Sequence, residues 1–257
     1  MPLTLALARL LISLLLLAWA ATSPARAEMN ADDKREIERI VRDYILLNPE
    51  VVEKALVALE AQRRETAAAE QAGKITELKD TILNSTHQAV LGNPDGRVTL
   101  VEFFDYNCGY CKRALNDLLA LVESNPDLRV VMKEFPILSE GSMEAARISV
   151  AVKDLNPDLY MDYHRELLGR GGQANLQKAI SVAKELGIDA DALKKAADAG
   201  SVTENIEEVR QIAQALGISG TPSYVVGGEM IPGAIGFDRL QIKIQEAAAK
   251  CAEQVMC

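Results

Sequence analysis

Two cysteines separated by two residues, Cys108-Gly109-Tyr110-Cys111, carry the most specific chemistry in the chain. Thiols at this spacing at the start of a helix form a reversible dithiol/disulfide pair. The apolar strand Val98–Phe104 runs directly into the motif, and the amphipathic stripe Leu115, Leu118, Leu119 and Val122 follows it. Helix N–H groups and the positive end of the macrodipole favour a thiolate at Cys108, lowering a pKa of about 8.5 into a range of roughly 3.5 to 7.5 in such motifs. Cys108 is therefore read as the nucleophile. Cys111, one turn inside the helix, is read as the resolving thiol that attacks a mixed disulfide and frees the client. A zinc site needs a second ligand pair at comparable spacing, whereas the remaining candidates are Cys251, Cys257, His87 and His164. A disulfide meant to stay closed has no use for a helix N-terminus beside it.

Glu102 is the oddity of the strand before the motif. Alternation puts it on one face with Val98, Leu100 and Phe104, and a buried, unpaired carboxylate is costly enough that its pKa should rise. The competing reading is a strand-edge glutamate that reaches solvent or pairs with Lys112 or Lys133. Cys251 and Cys257 stand six apart at the end of a helical pattern. In a continuous helix they would be separated by a rise of about 9 Å and a rotation of about 240°, beyond the roughly 7 Å between Cα atoms that a disulfide spans. A Cys251–Cys257 bridge is expected in an oxidising compartment and requires the helix to end near Cys251. Free thiols, a bond to another chain and a soft metal clip are the alternatives.

The amino terminus names that compartment. Leu10–Ala21 is an apolar run behind Arg9, and Ala25-Arg26-Ala27 is a small-x-small cleavage signal, so residues 1–27 read as a secretory signal peptide cleaved after Ala27. The run is shorter than the roughly 20 apolar residues that span a bilayer. Export to a bacterial periplasm, where disulfides persist, is the expectation. Cleavage removes Arg9 and Arg26 and no acid, so the formal charge falls from −9 to −11. Such a surface should repel nucleic acid and anionic lipid. Apolar content of 49% with 25% charged residues is ordinary globular composition. The sequence carries no nucleotide loop, serine-hydrolase elbow or pair of metal-binding carboxylates.

The elements that must position the thiols follow from the change of pattern along the chain. Residues 28–85 show helical periodicity only. Ile37, Ile40, Val41 and Tyr44 repeat at helical spacing, Asn48-Pro49 caps a second helix with the stripe Val52, Leu56 and Leu59, and Ile75, Leu78 and Ile82 resume it. Thr66–Gly73 reads as a solvated helix or semi-flexible connection. This apolar face has too few large residues to form a core alone, so it must be buried on the catalytic domain or, as we expect, on copies of itself. Residues 86–257 then read as strand Ala89–Leu91, the turn Asn93-Pro94-Asp95-Gly96, a strand to Phe104, a helix from about Tyr110 to Glu123, and strand Val130–Met132: a βαβ unit with a parallel pair. A helical insertion occupies about 140–217, with Ser142, Asn156, Asn175, Asp189 and Ser201 as caps, Ser201 and Glu204 as a capping box, and Gly169, Gly187, Gly200 and Gly217 as stops. Tyr160, Tyr163 and Leu167 read as core, and His164 as structural or exposed. Tyr224-Val225-Val226, a Gly-Gly turn, Met230-Ile231 and a helix from about Phe237 complete the chain.

With Glu102 six residues before Cys108, the C-x-x-C helix, the long helical insertion and Gly220-Thr221-Pro222 before a hairpin, the span Ala89–Ala249 resembles the DsbA-like branch of the thioredoxin fold. The segment from Ile40-Val41-Arg42-Asp43-Tyr44 through Leu47-Asn48-Pro49-Glu50-Val51-Val52 is similar to the amino-terminal region of the suppressor-of-copper-sensitivity protein C group. The resemblance implies an α/β thioredoxin fold with a helical insertion, preceded by an N-terminal helical segment. It implies a Glu102 that exchanges protons with Cys111, and a cis-proline loop at Thr221-Pro222 whose free backbone groups pair with an extended client. Tyr110 and Pro222 would frame the docking rim. It further implies no cofactor beyond the Cys108/Cys111 pair, and the ligand arithmetic of the cysteines and histidines yields no metal site. Its expected partners are exported proteins with disulfides, a membrane redox protein, and other copies of the chain held through the N-terminal helices. Gly109-Tyr110 between the cysteines and Thr221 before the proline resemble bacterial disulfide isomerases more than strongly oxidising DsbA-type thiol oxidases. A difference of 30 mV is only about 1.4 kcal/mol, so such residues can decide the direction. A copper-binding or copper-protective protein, and a holdase using the N-terminal stripe, are the readings from other classes.

Overall fold

The computed structural model describes residues 29–252. The chain separates into two compact units with the break between Gln62 and Arg63. In the first unit, helix α1 (Ala31–Leu47) starts with a reciprocal cap. Asn30 Oδ1 accepts from the amides of Asp32 and Asp33, and Asp33 returns a bond to the Asn30 amide. Asn48 closes α1 by donating its own N–H and its side-chain amide to Tyr44 O, and α2 (Glu50–Glu77) follows Pro49. Ile37, Ile40, Val41, Tyr44, Val52, Leu56 and Leu59 are all exposed.

The later part of the helical segment belongs to the second unit, which corrects the boundary expected at residue 85. α2 runs unbroken through Thr66–Gly73, and Gln71 Nε2 donates to Leu216 O at 2.9 Å. Ile75 of α2 and Ile82 of α3 (Lys79–Asn84) are buried with Val101, Phe103 and Val131. These isoleucines therefore do not extend the exposed stripe. They cover one face of the sheet.

That sheet has five strands in the order β1-β3-β2-β4-β5: β1 Ala89–Gly92, β2 Val98–Phe104, β3 Leu128–Glu134, β4 Ser223–Val226 and β5 Glu229–Pro232. The β2–β3 pair is parallel, joined by helix α4 (Gly109–Ser124), and the other three pairs are antiparallel. Every residue of β2 is buried because it lies at the centre with both faces covered. Val98, Leu100 and Phe104 meet Leu115, Leu118 and Leu121 of α4 and Leu240 and Ile244 of α10 (Phe237–Ala252). Val101 and Phe103 meet Ile75, Ile82, Val209 and Ile212.

Five helices stand between β3 and β4: α5 Glu140–Leu155, α6 Tyr160–Gly169, α7 Leu176–Glu185, α8 Ala190–Ala197 and α9 Gly200–Ala215. Alanines let them pack closely, with Ala145, Ala151, Ala179 and Ala183 fully or almost fully buried. Asn175 and Asp189 cap α7 and α8 through their side chains as expected. Ser142 and Ser201 do not cap. Ser139 caps α5, one turn earlier, and α9 starts at Gly200 with Ala199 as a cap lacking a side-chain bond, so Gly200 begins a helix instead of ending one. Asn156 closes α5 through its backbone N–H to Val152 O. Tyr160, Tyr163, His164 and Leu167 are all buried. Among the described residues no helix is long and apolar enough to cross a membrane.

Gly141 shows how tightly the insertion meets the rest. A Cβ there would lie 2.6 Å from Ala174 O and 3.3 Å from the Gln173 amide, both in the segment leading into α7. Gly141→Ala should lower stability by about 1–3 kcal/mol through this backbone clash, despite alanine's higher helix propensity. Denaturant unfolding checks this; an unchanged or raised midpoint would show that the α5–α7 junction has slack.

Candidate functional site

The β2–α4 loop delivers the thiols. Cys108 is the N-cap of α4, and its Sγ accepts from the Cys111 amide at 3.2 Å. As a thiol it faces Thr221 O at 3.1 Å. Both cysteines are free and buried, Cys108 at 4% exposure and Cys111 at none. Their environments push them apart. The hydrogen bond from the Cys111 side chain, aided by backbone N–H groups of Cys111 and Tyr110 and opposed by burial, lowers Cys108 from 9.0 to about 6. Burial and that same bond to Cys108 hold Cys111 far above the ordinary thiol range. At neutral pH one sulfur is a thiolate and the other keeps its proton.

Glu102 lies on the α4 face of β2, between Met132 and Tyr224 in the ladder. It is 3% exposed, and burial, then the charge on Cys108, raises its carboxyl to about 8. Neither lysine neutralises it. Lys112 Nζ donates to Arg170 O and Gly172 O, while Lys133, on the other face, donates to Thr81 O at 2.9 Å and stands 3.6 Å from Glu208. Glu102 Oε2 is buried with no hydrogen-bond partner. After burial and the bond to Cys108, the nearness of Glu102 also raises Cys111, so the carboxyl and the Cys111 thiol share one dry compartment.

Opposite the thiols, the Thr221-Pro222 bond is cis. Pro222 O accepts from Gly233 N at 2.8 Å, which ties the loop to the end of β5. Tyr110 stands 61% exposed with the Arg113 guanidinium 4.3 Å above its ring centre. Tyr110, Ile218, Thr221, Pro222, Met230 and Pro232 line a shallow groove beside Cys108. Cys251 is disulfide-bonded, and Cys257 lies outside the described residues. Among the described residues, no three His, Cys, Asp or Glu side chains converge as metal ligands.

Three residues the sequence reading passed over hold this loop. Asp105 Oδ2 accepts from the amides of Ile137 and Leu138, and its Oδ1 from Asn107 N at 2.7 Å. Tyr106 bonds Ser149 and His164 inside the insertion. Asn107 donates to Ser142 Oγ and Ala174 O and accepts from Ala174 N. The available signal was the run Asp105-Tyr106-Asn107 itself. A loop between a buried strand and a buried motif needs acceptors for its amides, and polar residues there supply them.

The pKa directions fix an expected pH dependence. Cys108 is lowered, so its thiolate contributes stability above its ordinary pKa, and this is lost as pH falls through about 6. Glu102 is raised from 4.5 to about 8, so its contribution is present below 4.5 and is lost as pH rises through about 8. Alkylation of the reduced protein should occur at Cys108 first, with a midpoint near pH 6. Glu102→Gln should gain stability on the wild type between pH 4.5 and 8. A stability difference that stays flat over that range would show that Glu102 is ionised throughout.

The comparisons with known proteins accord with this geometry. Residues 99–245, more than half of the chain, match the DSBA-like thioredoxin domain, and residues 33–65 match the copper resistance protein ScsC N-terminal domain. A thioredoxin-like oxidoreductase from Silicibacter pomeroyi is 40% identical, covering 66% of this chain and 98% of its own, with a TM-score of 0.64. A linker-deletion mutant of ScsC from Proteus mirabilis is 28% identical over 88% of this chain and 100% of its own, with the same score. Disulfide bond formation protein D of Bacillus subtilis is 26% identical over 174 residues, 62% of this chain and 76% of that protein. The chain also matches the Na(+)/H(+) antiporter NhaA of Herminiimonas arsenicoxydans, of whose length it spans 23%. The chain belongs to the DSBA-like thioredoxin domain family of thiol–disulfide oxidoreductases and carries a ScsC-type amino-terminal domain.

Proposed function

We propose that this protein is a periplasmic disulfide isomerase or reductase acting on exported proteins. The observation that carries the reading is the division of labour between the two sulfurs, a lowered Cys108 at the helix N-terminus and a raised, fully buried Cys111. Cys108 thiolate attacks a client disulfide, forming a mixed disulfide and expelling one client thiolate. That step removes the negative charge on Cys108 that raises both Glu102 and Cys111, so both become more acidic together. Glu102, made more acidic by that loss of charge, gives up its proton toward the departing client thiolate; as a carboxylate it then takes the proton of Cys111 while Cys111 attacks the Cys108 sulfur, giving the Cys108–Cys111 disulfide and a reduced client. In isomerisation a second client thiolate attacks first, releasing Cys108 unchanged with no net oxidation. The groove beside Thr221-Pro222, rimmed by Tyr110, suits the extended client chain that either route needs.

The direction rests on Gly109-Tyr110 and Thr221, and on the exposed stripe of α1 and the start of α2. Ile40, Val41, Tyr44, Leu46 and Leu47 are exposed on a helix that buries nothing of its own, which suits pairing with further copies of the chain. Several active sites held near one client favour repeated exchange over single oxidation. Residues 1–27, on which export rests, lie outside the described residues. The copper-binding reading draws on two thiols that suit Cu(I) and on the name of the amino-terminal match.

The reduction potential of the Cys108/Cys111 pair should fall nearer the isomerase value of about −180 mV than the oxidase value of about −120 mV. A potential at the oxidising end would establish the DsbA-type thiol oxidase instead, and tight Cu(I) binding without recovery of scrambled disulfides would favour the copper role. Cys108→Ser should abolish exchange, while Cys111→Ser should accumulate mixed disulfides; equal residual activity would reverse the assigned roles. Removing the residues before Arg63, a cut that spares the buried Ile75 and Ile82, should give a monomer that reduces small disulfides yet refolds scrambled protein poorly. Light scattering that finds the intact chain monomeric would remove the assembly.

A further inference from the structure

A buried polar relay behind the active-site loop takes no part in the exchange chemistry. Glu134 ends β3 beside Phe104, and Phe135 N donates to Phe104 O at 2.8 Å, so the carboxyl is set by the same parallel pair that carries β2 to the motif. Glu134 Oε1 accepts from Ser149 Oγ at 2.5 Å and from Tyr160 OH at 3.3 Å. Tyr106 OH lies 2.7 Å from Ser149 Oγ and 3.2 Å from His164 Nδ1. Glu134, Ser149, Tyr106, Tyr160 and His164 are all 5% exposed or less.

The donors in this chain can be ordered. Ser149 has one proton and gives it to Glu134, so Tyr106 must donate to Ser149. The Tyr106 oxygen then accepts from His164 Nδ1–H. Burial pushes His164 down to about 3, so the ring is neutral and has one N–H; placing it on Nδ1 leaves Nε2 bare, and Nε2 is buried with no partner. The bonds therefore run one way, from His164 through Tyr106 and Ser149 to Glu134. As a carboxylate, or as an acid carrying its proton on Oε2, Glu134 is the acceptor that sets this direction. Tyr106 is clamped between Asp105 and Asn107, two residues before Cys108, and its ring stands edge-on to Phe104 at 5.2 Å.

We propose that Glu134 is a positioning residue for the nucleophile: as the acceptor end of the relay it orients the Tyr106 hydroxyl, and so fixes the Asp105–Asn107 turn that presents Cys108 to the Cys111 amide and to Thr221. The inference deepens the thiol–disulfide reading and rests on it for its purpose. The residue touches neither client nor sulfur, and its influence passes through the backbone of the turn. Loosening the turn weakens the donors that stabilise the Cys108 thiolate, which raises the pKa of that sulfur.

The test uses the reduced full chain and four variants: Tyr106→Phe, Glu134→Leu, Glu134→Gln and the double Tyr106→Phe/Glu134→Leu. The pKa of Cys108 is read from thiolate absorbance and from the pH profile of alkylation, with the thermal midpoint recorded beside it. Tyr106→Phe and Glu134→Leu should each raise the Cys108 pKa by roughly half a unit to one unit, slowing alkylation about three- to tenfold below the shifted value. The double variant should shift it no further than the larger single change, because both cut the same relay. Glu134→Gln, which keeps an acceptor oxygen, should recover most of the loss. Lower thermal midpoints with an unmoved Cys108 pKa would overturn the proposal, as would additive shifts in the double variant. If Glu134→Leu does not fold, Tyr106→Phe against Ser149→Ala decides by the same readout. The Cys108 pKa belongs to the free protein, so it judges the relay even if the wild type exchanges no disulfides, a result that would sink only the proposed function.

Discussion

A sulfur anion held in a nearly dry site is the constraint around which the second unit is built. Cys108 tolerates its charge because the N-terminus of α4 and the Cys111 thiol supply donors in place of water. Burial, reinforced by the same charge, keeps the proton on Glu102 and on Cys111, so the three groups form one coupled system. A site this dry needs the central strand covered on both faces. Leu118, Leu121, Leu240 and Ile244 cover one, and Ile75, Ile82, Val209 and Ile212 the other.

The helical insertion supplies what the sheet cannot. Strand β2 ends at Phe104, and the next three residues must turn the chain sharply into α4 with Asp105 and Tyr106 buried and Asn107 partly so. Their polar groups find partners in the segment after β3 and in α5, α6 and the entry to α7. A clamp made of short, buried hydrogen bonds is rigid because losing any one leaves an unsatisfied group in a low-dielectric interior. The close contact of Gly141 with Ala174 O belongs to the same seam.

The first unit obeys different physics. Its helix is well capped and charged along one side, with Arg39 between Glu36 and Asp43, yet buries none of its apolar residues. Exposed ion pairs of this kind contribute little, so capping and propensity hold the helix while its apolar side stays exposed.

Legibility in the sequence followed the range of the interactions. The C-x-x-C motif, the strand before it and the parallel βαβ unit are local patterns, and hydrophobic periodicity with a helix start was enough to read them. Asn175 and Asp189 were legible as caps because a cap bonds amides two or three residues away. Ser142 and Ser201 misled because Ser139, one turn earlier, caps α5 through its side chain, and α9 starts at Gly200 behind Ala199 with no side-chain cap at all. The boundary at 85 failed for a related reason: Ile75 and Ile82 share the helical period of the arm, and periodicity does not say which surface a stripe meets. The sequence by itself determined the two closely spaced thiols and the strand and helix that carry them. Only the tertiary structure decided which polar groups go unpaired, as at Glu102, and which polar chains converge, as Tyr106, Ser149 and Glu134 do from three separate elements. Burial and long-range hydrogen bonding belong to the packed molecule, because each depends on residues tens of positions apart being brought within a few ångströms.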